Sequence, residues 1–267
     1  MTISLRELEN HAGVTIPRAI ARAMGAGLLE LDTVGESGAV VAHSARCYIK
    51  IERTGGNDEV VGERRNLEWL QDKVPVPELI AYASNGDAHF LVTEKLEGRA
   101  IYEDRENATP IPDRVVALAE ALKVFHALPT ENVPDDRRLD NRLMDARARI
   151  EIGHVFEEDF SLSFSGKGAE AVFKQCLEER PNDEDCVVCH GDYCLPNVLF
   201  DGCELVGFID VGWTGLADRY QDLALATWSL GYNFPDTDYA PLFLKSYGID
   251  PIDAEKLSYY KMLDQLF

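Results

Sequence analysis

The segment CHGDYCLPNVLF, residues 189–200, places Asp192 and, five residues later, Asn197 between two apolar runs. A further acid, Asp210, ends the run ELVGFID. Asp201-Gly202 between them is a hairpin signal, so the strand at 198–200 is expected to turn back and be joined by the one ending at Asp210. That topology predicts convergence of Asp192, Asn197 and Asp210 at one end of a small sheet. Two carboxylates and a carboxamide are hard oxygen donors suited to Mg²⁺. A carboxylate not used on the metal would orient an attacking hydroxyl. The same residue types also build Asx turns that carry no chemistry.

The N-terminal half adds partners for such a site. Lys50 lies in the apolar run CYIKI, where an ammonium is costly unless paired or functional. Glu63, on the next helical segment, is its candidate partner; the alternative for Glu63 is a solvated helix face beside Arg64 and Arg65. VGESGAVV (34–41) sets Gly35 and Gly38 between strands, where backbone N–H groups can approach phosphates, although hairpins carry glycine too. A strand Lys, a helix Glu, an Asp, an Asn five residues on and a separate metal-binding Asp are the parts a kinase uses. No GxxxxGK[ST] occurs, which argues against a P-loop ATPase.

The elements that must position these residues divide near residue 96. Residues 3–24 read as helical, and 25–95 as a mainly antiparallel sheet with one helix around EVVGERRNLEWLQDK. Asn85-Gly86 marks a hairpin. Beyond 96, helices are expected after Pro112, over 137–152, over 168–179 and from about 218 onward, with short strands only around 187–210. The expected fold class is α+β, with an N-terminal sheet lobe at 1–95 and a larger, mainly helical lobe at 96–267.

Composition bounds the partners. The 267 residues carry a net charge of −21, which opposes nucleic acid and would attract a cation, although solubility or adaptation to high salt is the simpler account of the bulk charge. No run is long enough to cross a bilayer, and MTISLRELEN lacks a secretory h-region, so a cytoplasmic protein without membrane partners is expected. Cys186 and Cys189 form a CxxC, but on a strand they point to opposite faces, and no second CxxC completes a zinc site. His126, near a helix end, reads as a packing or dipole residue. Asp218 and Asp222 read as helix N-terminal and first-turn residues.

The sequence resembles the aminoglycoside 3′-phosphotransferases, within the wider aminoglycoside phosphotransferase and protein-kinase-like superfamily. The resemblance is carried by HGDYCLPNVLFDG (190–202), GFIDVGWTGLADRYQDLALA (207–226), YGID (247–250) and LDQLF (263–267), and continues upstream in VGESGAVV, YIK and ERRNLEWL. It implies a two-lobed protein-kinase-like fold and transfer of phosphate from ATP, with GTP as the alternative donor, to a hydroxyl of a polycationic aminoglycoside, expected at the 3′ position, giving antibiotic resistance. Residue by residue, it implies Asp192 as the catalytic Asp and Asn197 and Asp210 as Mg²⁺ ligands. Lys50, held by Glu63, would meet the α- and β-phosphates, and Ser37 would meet phosphate from the glycine loop. Tyr48 would stack on adenine, with Glu94 and Leu96 offering backbone groups to its edge. Asp218 and Asp222 would brace the catalytic region. Substrate ammonium groups need carboxylates; the candidates are Glu157, Glu158, Asp159, Asp264 and the terminal carboxylate of Phe267, the 157–159 run being equally readable as a solvated loop. A monomer or homodimer is expected.

Three positions depart from the family pattern. Trp213 stands where Arg is usual, Gln265 where Glu is usual, and TWSLGYNF, after residue 226, lacks acids often found there. Trp213 and Gln265 favour, as a rival, a kinase of another small-molecule alcohol on the same fold; a non-catalytic nucleotide-binding protein is the rival from a different class, against which the presence of Lys50, Asp192, Asn197 and Asp210 argues.

Overall fold

The computed structural model describes residues 1–32, 38–56, 58–103, 109–161 and 163–267, with Asp159 described by its backbone alone. The chain divides into two compact units, Met1–Gly98 with Val206–Trp213, and Arg99–Leu205 with Thr214–Phe267.

The first unit is built on a six-stranded antiparallel sheet in the order β1-β2-β3-β4-β6-β5. Its strands are β1 (Thr2–Ile3), β2 (Leu29–Asp32), β3 (Val40–His43), β4 (Cys47–Arg53), β5 (Leu79–Ser84) and β6 (Ala88–Glu94). Asn85 makes the β5–β6 turn, its side-chain oxygen accepting from Asp87 and Ala88 N–H, with Gly86 at φ 88°. The expected single helical region over 3–24 is two helices, α1 (Leu5–Ala12) and α2 (Arg18–Met24). A Ser4–Glu7 capping box starts α1, and Gly13 at φ 65° stops it.

β4 shows why alternation matters. Cys47, Ile49 and Ile51 point into a core shared with Leu8, Ile20, Phe90 and Val92, each such side chain contributing about 1.5–3 kcal/mol on burial. Period two therefore puts Tyr48, Lys50 and Glu52 on the other face, where α3 (Glu59–Leu70) supplies Glu63 to Lys50. Glu52 is buried because its carboxylate accepts from Glu59 and Val60 N–H at 3.2 and 2.9 Å, serving the α3 N-terminus. Asp58, at the N-cap, makes no side-chain cap bond.

The second unit contains α4 (Ile111–His126), α5 (Leu139–Glu151), α6 (Ala169–Glu178), α7 (Tyr220–Asn233), α8 (Ala240–Tyr247) and α9 (Ala254–Asp264). Pro112 lies in the first turn of α4 rather than before it, where its missing N–H costs nothing. β7 (Cys186–Cys189) pairs antiparallel with β10 (Gly215–Asp218), a strand the sequence reading does not contain. Gly215 permits it, because a Cβ there would lie 2.4 Å from Arg137 Cγ and 2.9 Å from the Asp135 carbonyl. Asp218 therefore ends a strand rather than starting a helix, and its buried carboxylate accepts from Tyr220 N–H and pairs with Lys256 at 3.1 Å. β8 (Val198–Asp201) and β9 (Glu204–Phe208) form the expected hairpin, with Gly202 at φ 64°, and within β9 the chain passes into the segment counted with the first unit. All six cysteines are free thiols. Among the described residues, no helix is long and apolar enough to cross a membrane.

Candidate active site

In the first unit, Lys50 lies between two carboxylates. Glu63 Oε2 accepts from Lys50 Nζ at 2.7 Å, and Asp210 also pairs with that ammonium. Burial opposes the charge on Lys50, but Asp210 and Glu63 outweigh it and hold the ammonium above its ordinary value. Burial pushes the Glu63 carboxyl up, against the pull of Lys50. Glu63 is thus an enclosed partner, not a solvated one.

Asp210 is held at φ 56°, in the left-handed region that Asp tolerates better than most residues. Asn66, fully buried on α3, clamps the following turn by donating to the Val211 and Gly212 carbonyls at 2.9 and 3.1 Å. Gly212 and Gly62 make this approach possible, since a Cβ on Gly62 would stand 3.2 Å from the Gly212 oxygen. Trp213 is half-buried in the same turn. Tyr48 shares the Lys50 face of β4, its ring 4.9 Å from that of His43 and 5.6 Å from Lys95 Nζ. Glu94 ends β6, with its N–H on the Glu78 carbonyl. Leu96 packs at Gly207, where a Cβ would lie 2.5 Å from Leu96 Cδ1. Ser37 lies outside the described residues.

In the second unit, the loop after β7 is held at nearly every residue. Asp222, in the first turn of α7, accepts from His190 N–H at 2.7 Å and from Gly191 N–H at 2.9 Å. Gly191 has φ 90°, which suits glycine. Gln221 donates to the Gly191 carbonyl, Thr214 to that of His190, and Leu195 N–H to Ser229 Oγ. His126 backs this arrangement, its Nε2 3.0 Å from Asp222 Oδ2 and its Nδ1 2.8 Å from the Tyr247 hydroxyl. At the end of the loop, Asn197 Nδ2 donates to Asp192 Oδ2 at 2.7 Å and to the Asp192 carbonyl at 3.0 Å. The Cys194 thiol lies against the Asp192 carboxylate, and burial pushes it well above the ordinary thiol value.

The remaining predicted residues are distributed less uniformly. Glu157 Oε1 accepts from Ala169 N–H at 2.7 Å, so this carboxylate caps α6. Glu158 is exposed, and the Asp159 side chain lies outside the description. Asp264 is partly enclosed. Burial and the charge of Asp192 push its carboxyl up to about 7, with Arg142 opposing. The Phe267 ring lies 3.5 Å from the Arg142 guanidinium, and its carbonyl accepts from Arg149. Gln265 is engaged internally, accepting from Ser161 N–H at 2.6 Å and donating to the Lys261 carbonyl. Asn66, Gln221, Ser229 and Glu52 have positioning roles that sequence reasoning missed; each is a buried polar residue on a helix or strand, which is the signal that could have found them.

A strand Lys held by a helix Glu, together with an HGDxxxxN loop braced on a helix, defines a phosphotransferase of kinase-like construction. Comparison with known proteins bears this out. The model of the phosphotransferase enzyme family APH matches residues 35–259. The aminoglycoside 3′-phosphotransferase of Niallia circulans is 34% identical over 94% of this chain and 97% of its own length. That of Streptomyces fradiae is 38% identical over 78% of this chain and 80% of its own. The crystal structure of an aminoglycoside 3′-phosphotransferase of type VIII superposes with a TM-score of 0.79 at 31% identity, covering 99% of this chain and 98% of that one. An aminoglycoside phosphotransferase of Streptomyces rimosus, solved with ADP and streptomycin, gives a TM-score of 0.74 at 26% identity, covering 87% and 94% of the two chains. The chain belongs to the phosphotransferase enzyme family, on its aminoglycoside 3′-phosphotransferase branch, and has its kinase-like fold.

Proposed function

We propose that the protein transfers the γ-phosphoryl group of ATP, with Mg²⁺, to the 3′-hydroxyl of an aminoglycoside. The observation that carries this reading is Lys50, an ammonium in an apolar strand kept charged by Glu63 and Asp210. The names of the relatives support the acceptor class.

In the reaction, Asp192 accepts the proton of the attacking hydroxyl. The new bond forms from that oxygen to the γ-phosphorus, the bond from the γ-phosphorus to the β,γ-bridging oxygen breaks, and ADP leaves. Lys50 balances phosphate charge, and Tyr48, Glu94, Leu96 and Ser37 are the proposed nucleotide contacts. Asn197 and Asp210 fit a hard metal ion. Both N–H contacts of Asn197 go to Asp192, so its remaining polar side-chain atom is an oxygen, and Asp210 brings carboxylate oxygens. Mg²⁺, when bound, neutralises phosphate charge. A phosphate added to a polycationic drug opposes its binding to RNA, which is the route to resistance. Glu158, Asp159, Asp264 and Phe267 remain the proposed contacts for acceptor ammonium groups, with Glu157 sharing its carboxylate with α6.

A second reading, a hydroxyl of a less cationic small molecule, is favoured by Gln265 and Glu157, whose side chains serve the protein's own backbone. A coupled ATP-turnover assay with kanamycin, neomycin and tobramycin separates the two. Turnover of the first two but not of tobramycin, which lacks the 3′-hydroxyl, is expected. Equal turnover of tobramycin defeats the 3′ assignment, and failure with all three moves the acceptor to the second class.

A further inference from the structure

One row of side chains crosses the sheet of the first unit at Tyr48. In register, Glu30 of β2 pairs with His43 of β3, His43 with Tyr48 of β4, and Tyr48 with Thr93 of β6. Directly paired residues on adjacent strands share a face, and this face also carries Lys50. The row lies immediately beside a tight turn. Ser44 Oγ accepts from Arg46 and Cys47 N–H at 3.1 and 3.2 Å, and Ser44 N–H donates to the Cys47 carbonyl at 2.9 Å. The backbone therefore fixes the register of His43 against Tyr48.

His43 is the lateral support of Tyr48. The two rings lie 4.9 Å apart and 44° from parallel, a tilted contact at the spacing of favourable aromatic pairs. Lys95, just past the end of β6, holds the imidazole: its Nζ is 3.3 Å from His43 Nδ1 and 5.6 Å from the centre of the Tyr48 ring. An ammonium only donates, so it selects the tautomer with a bare Nδ1, and the Nε2 proton then faces Glu30 Oε2 at 3.6 Å. The Ser44 carbonyl, 3.2 Å from the same Nδ1, competes only for a protonated Nδ1. The His43 side chain is largely enclosed, at 19% exposure. A ring set in this way limits how the Tyr48 phenol can turn.

We propose that His43 is a positioning residue for the phosphate donor: it fixes the Tyr48 ring as the platform for the purine, and Lys95 fixes the imidazole. The inference rests on the phosphotransfer reading above and goes beyond its nucleotide contacts, because His43 acts through Tyr48 and not on the nucleotide. A platform held in place before the ligand arrives loses less conformational freedom on binding. Loss of His43 therefore falls on the purine and spares the phosphates, whose proposed partner is Lys50.

Calorimetry of the full chain with ATP and with inorganic tripolyphosphate, both with Mg²⁺, provides the test. The proteins compared are the wild type, His43→Ala, His43→Phe, Tyr48→Ala and the double variant His43→Ala with Tyr48→Ala. His43→Ala is expected to weaken ATP binding roughly 2- to 10-fold, the range of one aromatic contact, and to leave tripolyphosphate binding as in the wild type. His43→Phe keeps a ring beside Tyr48 and recovers most of the loss. In the double variant, removal of His43 adds nothing to the loss in Tyr48→Ala, because the two residues act as one unit. Steady-state kinetics with kanamycin should place the effect in ATP KM rather than in kcat. Wild-type ATP affinity in His43→Ala, equal losses for ATP and tripolyphosphate, or additive losses in the double variant overturn the positioning role and leave the phosphotransfer reading standing. Unchanged ATP affinity in Tyr48→Ala overturns it by removing the platform. A wild type that binds no ATP defeats the phosphotransfer reading and the inference together.

Discussion

Asn197 holds Asp192 by two hydrogen bonds from one carboxamide nitrogen, to the carboxylate at 2.7 Å and to the backbone carbonyl at 3.0 Å. The HGDxxxxN segment is therefore closed on itself, and the orientation of the proposed catalytic carboxylate depends on a residue also proposed as a metal ligand. Asp192→Asn is expected to lower kcat by about 10²–10⁴-fold, the usual worth of a general base, with little change in nucleotide KM. Asn197→Ala is expected to lower kcat as well and to cost about 1 kcal/mol of stability. Steady-state kinetics and urea unfolding check both; an Asp192→Asn enzyme with full turnover would defeat the mechanism.

Glu63→Ala leaves Asp210 as the carboxylate paired with Lys50. Loss of a buried charged hydrogen bond predicts destabilisation of about 1–3 kcal/mol. It also predicts a rise in ATP KM, because Lys50 loses the enclosed group that aims it. Glu63→Gln keeps an acceptor oxygen and is expected to recover much of the stability, which chemical denaturation measures.

Gly207→Ala tests the contact with Leu96. The added methyl would sit 2.5 Å from Leu96 Cδ1 and 3.1 Å from the Pro75 carbonyl, so Leu96 must move. If its backbone meets the adenine edge, ATP KM rises several-fold while acceptor KM stays constant. An unchanged ATP KM would remove Leu96 from the nucleotide contacts.

Asp264 makes stability depend on pH. Burial raises its carboxyl to about 7 in the folded protein, from the ordinary value of 3.8. Between those values the folded state binds the extra proton, so this residue's contribution falls as pH rises. Its penalty is complete above about pH 7 and relieved toward pH 4. Asp264→Asn is therefore expected to be more stable than the wild type at pH 8, on the order of 1 kcal/mol after allowance for solvent contact. The gain should vanish near pH 4. Melting temperatures of the two proteins across that range are the measurement.

The cysteines predict a labelling pattern. Cys203 is exposed, whereas Cys47, Cys176 and Cys189 are buried. Burial raises the Cys189 and Cys194 thiols well above their usual value, which keeps them protonated at neutral pH. Brief alkylation of the native protein should modify Cys203 first and leave Cys194 intact, as peptide mass analysis would show. Rapid labelling of Cys194 would contradict its enclosure beside Asp192.

Much of the site was readable because its strongest signals are local. Lys50 stands out as a charge in an apolar strand, Asn197 lies five residues from Asp192, and Asn85-Gly86 and Asp201-Gly202 punctuate the hairpins. The break between α1 and α2 was also marked, by Gly13 and Pro17, yet the apolar spacing on either side concealed it. β10 could not be read, because GLAD is short and pairs with β7 only where Gly215 lets Arg137 and Asp135 approach. That the Glu157 and Gln265 side chains also serve the protein's own backbone could not be read, because their partners, Ala169 and Ser161, lie 12 and 104 residues away.

The sequence by itself determined which chemical groups are available and how the near ones are spaced: the HGDxxxxN loop, the strand Lys and the alternation that puts Tyr48 and Lys50 on one face of β4. Only the tertiary structure decided who holds them. Asp222 carries the His190 and Gly191 amides, Asn66 the turn after Asp210, and Glu52 the start of α3. The reason is that a buried polar atom must find a partner when water is removed, and packing, not distance along the chain, settles which partner is in reach.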